Sequence, residues 1–249
     1  MTAVDLNQHN REIHENRVFW QKKPLLRRVY AGFYLEMARQ VDPAIPGLLV
    51  ELGSGMGNIK EHLPACITTD VFPNPWLDRV ENAYHLSFPD GALSHLFLFD
   101  VWHHLQHPGA ALREFSRVLT PGGRLVIFDP AMGLFGRIVF GYFHHEPVAL
   151  DQRIEWDAPV DFDRDAPGYY AAQGNATRVF RWGEHAAGLK GWRMAEVRYL
   201  SGLAYLGSGG FRGPQLYPGF LFPIVNRLDA WLSRFPKLAS RMLVVLVKE

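Results

Sequence analysis

Hydrophobic positions along this chain switch repeatedly between a run that suits a strand and a stripe that suits a helix. Residues 48–52 (Leu-Leu-Val-Glu-Leu) form a short, almost wholly apolar run of the kind buried on both faces of a sheet, and glycines follow at 53, 55 and 57. That order predicts strand, tight turn, helix. Upstream, residues 1–23 are polar and mixed apart from Phe19 and Trp20. After Pro24, a favourable first helical residue, apolar side chains recur every four positions at Leu25, Val29, Phe33, Met37 and Val41, one stripe of an amphipathic helix that stops before Pro43. Downstream, the pattern predicts strands over 65–70, 79–84, 93–101, 125–129 and 192–200, with helices over 109–119 and near 181–189. Residues 207–214, rich in glycine, read as a flexible turn. A second apolar stripe, Leu221, Ile224, Val225, Leu228, Trp231, Leu232 and Phe235, reads as a helix packed against the sheet, and a last apolar strand covers 242–247. Strands and helices in alternation predict an α/β domain, and no repeat or internal boundary divides it.

The glycines carry the first chemical signal. Gly53 and Gly55 free the backbone for positive φ and let a ligand approach peptide N–H groups. A dinucleotide fingerprint wants glycine at the first, third and sixth positions, but the sixth is Asn58 and the third glycine comes one residue early, at Gly57. A nicotinamide cofactor is thereby disfavoured. Asp70 ends the second strand, where a carboxylate is placed to accept both hydrogen bonds of a ribose diol, with Val71 and Phe72 beside the base; the competing reading is a cap for the turn that Pro73 and Pro75 follow. The strand over 93–101 runs into Asp100, Trp102, His103 and His104, at the edge where open α/β sheets hold ligands. Histidine there, titrating near neutrality, is a candidate general base for a hydroxyl or amine, or else a shaper of the loop. His144, His145 and Glu146 form a second cluster. Neither this cluster nor the pair His103 and His107 has diagnostic metal-ligand spacing, so no metal is expected.

Glu51-x-Gly53-x-Gly55-x-Gly57, the residues around Asp100 to Leu105, and the turn Leu119-x-Pro121-Gly122-Gly123 before a strand resemble the class I S-adenosylmethionine-dependent methyltransferases, in particular their type 11 branch. The resemblance spans residues 46–129 by motif and the last two strands by order. It implies a Rossmann-like, seven-stranded, mostly parallel sheet with helices on both faces, the last strand antiparallel. Residues 1–45 would be an N-terminal helical cap, 46–129 the cofactor-binding core, 130–181 a substrate lid inserted after the fifth strand, and 182–249 the rest of the sheet with its helix. It further implies S-adenosyl-L-methionine as cofactor, held by Glu51, Gly53, Ser54, Gly55, Gly57, Asp70, Val71, Asn82, Ala83 and Asp100. Where the family commonly has Asp-Ala, this chain has Asn82-Ala83, whose amide oxygen still accepts a hydrogen bond. His103, His104, His144 and His145 are the candidate catalytic residues. The implied reaction is methyl transfer to a small acceptor, O-methylation favoured, the acceptor a sugar, a polyketide-like compound or a lipid-linked intermediate. An NAD(P)-dependent oxidoreductase and a non-catalytic protein that contacts membrane surfaces through residues 220–235 are the alternatives.

Composition narrows the class further. Lys and Arg total 26 against 25 Asp and Glu, so no basic surplus is available to neutralise nucleic-acid phosphates. With 249 residues, 48% of them hydrophobic, the chain is long enough to bury a full core. One cysteine, Cys66, allows no internal disulfide, and neither a signal-type start nor a membrane-spanning run is seen, which points to a cytoplasmic protein.

Overall fold

In the computed structural model the described residues are 6–165 and 168–249; the first five residues of the cap and Pro167 lie outside them. Seven strands form one sheet in the order β3-β2-β1-β4-β5-β7-β6. Strands β1 (Leu48–Leu52), β2 (Ile67–Asp70), β3 (Arg79–Val80), β4 (Leu93–Phe99) and β5 (Leu119–Pro130) run parallel, and β7 (Arg241–Lys248) runs antiparallel to both β5 and β6 (Trp192–Leu200). The Rossmann-like, mostly parallel sheet with an antiparallel last strand is therefore present. Every residue of β4 is buried, Ser94 and His95 included, as its place at the centre of a parallel sheet requires.

Strand alternation divides the core in two. Leu96 and Leu98 face one side with Leu125, Ile127 and Val244, covered by Leu112 and Phe115 of α3 (Pro108–Val118) and by Phe180 of α5 (Asn175–Phe180). Phe97, Phe99, Val126 and Phe128 face the other, covered by Leu26, Val29, Phe33 and Met37 of α2 (Pro24–Ala38). Phe99 and Phe128 stack with centroids 5.1 Å apart. Helix α1 (Leu6–Lys22) precedes α2, which starts on Pro24 at its first turn.

Several elements depart from the sequence pattern, each for a local reason. After the glycine loop there is only one 3-10 turn, Asn58–Glu61, because Pro64 and the early start of β2 leave no room for a longer helix. The third strand shrinks to two residues: Asn82 Oδ1 accepts the Tyr84 N–H at 3.0 Å, an Asx turn that takes the chain out of the ladder. The Pro-Gly-Gly turn lies inside β5, where Leu119 pairs with Leu93 and Arg124 with His95, leaving 120–123 bulged opposite Ser94. The helix expected near 181–189 is instead α5, ending at Phe180, and a separate 3-10 turn, Ala186–Leu189; left-handed Gly183 and His185 stand between them.

The tail differs most. Part of the 207–214 turn is already helical, as the end of α6 (Leu203–Ser208). In α7 (Phe222–Leu232) the buried residue is Asp229, while Ile224, Leu228 and Trp231 are exposed, as is Phe235 beyond the helix. The stripe is therefore split: Val225, with Phe222, packs against the core, while the other side faces outward. A polar clamp also holds the helix: the Asp229 carboxylate accepts the N–H groups of Leu203 (3.1 Å) and Ala204 (3.0 Å) and the Ser201 hydroxyl, so it caps α6.

Candidate active site

A cavity of about 700 Å³ opens at the carboxyl ends of β1, β2, β4 and β5. Gly53 and Gly55 line it with φ of 64° and 51°. A Cβ at Gly53 would lie 2.4 Å from the Val101 side chain, whereas one at Gly55 would meet nothing within 4 Å. Gly53 is thus required by close packing, and Gly55 leaves the loop backbone unobstructed on its cavity side.

Asp70 is 5% exposed and holds the loop, its Oδ2 accepting the Gly55 N–H at 3.0 Å and its Oδ1 the Phe72 N–H at 3.3 Å. The expected ribose acceptor is also the residue that shapes the glycine turn. Ser54, Val71, Asn82, Ala83 and Asp100 line the same wall. The Asn82 amide is engaged on both sides, since its Nδ2 donates to the Arg164 carbonyl at 2.7 Å while its oxygen takes the Tyr84 N–H. Asp100 sits at φ 56°, a left-handed turn that aims its carboxylate inward, where the Arg241 guanidinium pairs with it.

Two of the sequence candidates are not on the cavity wall. Gly57, at φ 74°, caps the 3-10 turn with its α-carbon toward Leu77 and Trp76. Glu51 is wholly buried beneath the loop, and neither of its carboxylate oxygens has a hydrogen-bond partner among the described residues. Burial pushes its carboxyl up to about 8; the Ser54 hydroxyl opposes this and the neighbouring Asp70 charge adds to it.

The opposite wall is a web around Glu146. His103, on the 3-10 turn Trp102–His104, is buried with Nδ1 3.0 Å from Asp129 Oδ1 and Nε2 3.6 Å from Glu146 Oε2. His104 donates from Nδ1 to the Tyr170 carbonyl at 2.8 Å, leaving Nε2 toward Glu146 Oε1 at 3.8 Å. His144 Nδ1 lies 3.6 Å from Glu146 Oε2, and Tyr169 and Gln173 also donate to this carboxylate. His145 is on the rim, half exposed, near Glu12. Burial alone would depress His103, but the Asp129 and Glu146 carboxylates outweigh it and push it up to about 10, so it stays an imidazolium. Glu146 resists burial through the same partners and is held well below the usual carboxylate range. Burial drives His144 down, toward the neutral imidazole. His103, His104 and Glu146 come close enough together to suit a cation, as do Asp100, His103 and Asp129.

The structure thus brings all four candidate histidines to the cavity and adds residues that the sequence reading did not assign. Asp129, at the carboxyl end of β5, occupies the position on its strand that Asp70 and Asp100 occupy near theirs, and that rule was available from sequence. Arg241 escaped notice because β7 is antiparallel: its first residue, not its last, lies at the cavity edge. Glu146 was visible only as a neighbour of His144 and His145, and Tyr169 and Gln173 carry no local signal.

Residues 50–127 match the methyltransferase domain family. A demethylmenaquinone methyltransferase of Deinococcus radiodurans is 37% identical over 67 residues, which take in 26% of this chain and 28% of that relative's length. Among solved structures, a chain of a Haloferax volcanii complex containing the Trm112 methyltransferase activator superposes with a TM-score of 0.54 at 14% identity, covering 97% of this chain and 96% of the other. A SAM-dependent methyltransferase of Thermotoga maritima gives 0.51 at 15% identity, over 96% and 99%. At such identities the likeness of these structures speaks for the fold.

Proposed function

Because this chain belongs to the class I S-adenosylmethionine-dependent methyltransferases, of the type 11 branch, we propose that it methylates a hydroxyl of a small acceptor, the candidates being a sugar, a polyketide-like compound or a lipid-linked intermediate. The observation that carries this reading is the pairing, across one cavity, of an open glycine loop with a histidine–carboxylate web. The lining fits the cofactor: an unobstructed approach over Gly55, a buried carboxylate at Asp70, and Asn82 with Ala83 further along the wall. In this reading Gly53, Ser54, Gly55, Asp70, Val71, Asn82, Ala83 and Asp100 hold S-adenosylmethionine, while Glu51 and Gly57 act by shaping the loop. Bound there, the cofactor supplies an electrophilic methyl group on a sulfonium.

The chain's own residues supply orientation and a place for the proton. His104 is oriented by the bond from its Nδ1 to the Tyr170 carbonyl, which turns Nε2 toward Glu146 on the cavity wall. It takes up the acceptor's hydroxyl proton as the oxygen takes the methyl group, and Glu146 steadies the imidazolium that forms. His103, already protonated on Asp129, holds Glu146 in place and is not the base. His144 accepts the Glu146 N–H at Nδ1 and so helps to fix that carboxylate's segment. Tyr169 and Gln173 come from residues 130–181, which supports this stretch as the lid. Aligning nucleophile and methyl group accounts for most of the rate, and the base adds roughly 10²–10⁴-fold.

Calorimetry with S-adenosylhomocysteine tests the reading, with NAD as the comparison ligand. Binding of the former alone, in the range of about 1 μM, is expected. Binding of NAD alone would replace methyl transfer by hydride transfer.

A further inference from the structure

Two segments of this chain turn large apolar side chains to the outside. In α7 and the turn before it, Phe220 is 78% exposed, Ile224 62% and Trp231 51%, spaced so that they share one face. The other segment is α4 (Leu134–Ile138) with the π-helical turn Val139–Phe143 that continues it. There Tyr142 is 83% and Phe143 81% exposed, while Phe140 on the inner side lines the cavity. The two are neighbours: the Gly136 N–H donates to the Ala239 carbonyl at 3.2 Å, directly after the turn Pro236–Leu238 that follows α7. The two apolar segments therefore adjoin, and the second reaches the edge of the cavity at Phe140 and His144.

Charge says what covers it. Among the described residues, the exposed charges on 134–143 and 216–238 are Arg137, Arg227, Arg234 and Lys237, all positive. The acidic residue within them, Asp229, is buried in its clamp on α6. The chain as a whole carries a formal charge of only +1, so this face concentrates positive charge. Trp, Phe and Ile beside Arg and Lys, on a helix with no exposed acid, is the composition of an interfacial helix that lies in the headgroup layer of an anionic bilayer. No helix among the described residues is long and apolar enough to span one.

We propose that α7 and the α4 segment form a docking face for anionic membrane surfaces, which turns the rim at Tyr142 and Phe143 toward the lipid. Resting on the methyl-transfer reading, this narrows the acceptor to an amphiphile whose polar head reaches the cavity from the bilayer.

Vesicle flotation of the whole chain tests this, comparing phosphatidylcholine alone with phosphatidylcholine containing phosphatidylglycerol. The protein floats with the anionic vesicles and is largely released at about 0.5 M salt. Trp231→Ser with Phe235→Ser, and separately Arg227→Glu with Arg234→Glu, each lower the bound fraction's partition coefficient by roughly tenfold or more. Both variants keep the wild-type far-ultraviolet circular dichroism and S-adenosylhomocysteine affinity. Absence of flotation at low salt, or flotation of both variants like the wild type, overturns the proposal. So does a concentration-dependent dimer abolished by the same substitutions, which would mean that a second copy covers the face. Flotation without S-adenosylhomocysteine binding keeps the membrane face and removes the acceptor assignment; binding without flotation overturns the membrane face and the amphiphile with it, and leaves the methyl-transfer reading standing.

Discussion

The two walls of the cavity are built on opposite plans. On the loop side, a few consecutive residues shape the wall with their backbone, and the carboxylate that holds them, Asp70, is fifteen residues from the glycine it bonds. On the histidine side the wall is made of side chains, most of them joined over long stretches of chain: His103 reaches Asp129, His104 the Tyr170 carbonyl, and Glu146 collects Tyr169 and Gln173. The first plan suits a ligand whose shape does not change between substrates. The second can be altered one side chain at a time, which suits the partner that differs from one enzyme to the next.

If the walls divide the work in this way, damage to each has a separate signature. The largest effect is expected from His104→Asn, which lowers kcat by about 10²–10⁴-fold and leaves S-adenosylhomocysteine affinity within about threefold of wild type. Equal loss of cofactor affinity would break the comparison. Asp70→Ala is next: it removes the acceptor and releases the loop, weakening S-adenosylhomocysteine by roughly 100-fold, about 3 kcal/mol, in the same titration. Wild-type affinity in that variant would remove Asp70 from the cofactor wall.

A pH experiment sharpens the contrast further. His103 is raised to about 10 in the fold, from about 6.5 in an unfolded chain, so its contribution is fully present below pH ~6.5 and is lost as the pH climbs toward 10. Glu51 works in the same direction from beneath the glycine loop. Raised to about 8, it must ionise in the unfolded chain first, and stability falls between pH ~4.5 and 8. Glu51→Gln therefore flattens the lower part of the stability profile and Glu146→Gln the upper part, as read by urea melts across pH 5 to 10. Asn82→Ala should have the smallest effect, about three- to tenfold on S-adenosylhomocysteine affinity, because one neutral hydrogen bond is at stake.

The same contrast explains what could be read from sequence. The strands and the glycine turn were legible because their determinants are local: an apolar run, a glycine every second residue, a proline at a helix start. The candidate histidines His103 and His104 were picked by their place on the sheet. Their partners were not, because the contacts that make Glu146, Tyr169 and Gln173 a unit exist only once the chain between 130 and 181 has wrapped over the sheet. Glu51 misled for a related reason. It adjoins the loop in sequence, but strand alternation turns it under the loop and away from the cavity. The apolar stripe of α7 is helical as expected but packs only in part, through Val225, since a buried aspartate shares the work of fixing the helix and Ile224, Leu228 and Trp231 stay outside.

Strand order also has a bearing on how this protein is made. β7 comes after β6 in the chain but lies between β5 and β6 in the sheet. While the polypeptide is being synthesised, β6 has no partner to pair with, and β5 presents an open edge until β7 emerges and slots between them. The same strand delivers Arg241 to Asp100, so the charge at the cavity edge is balanced in that step as well. Assembly of the sheet and completion of the pocket are one late event, and a nascent chain stalled before residue 241 would hold the glycine loop without a finished site.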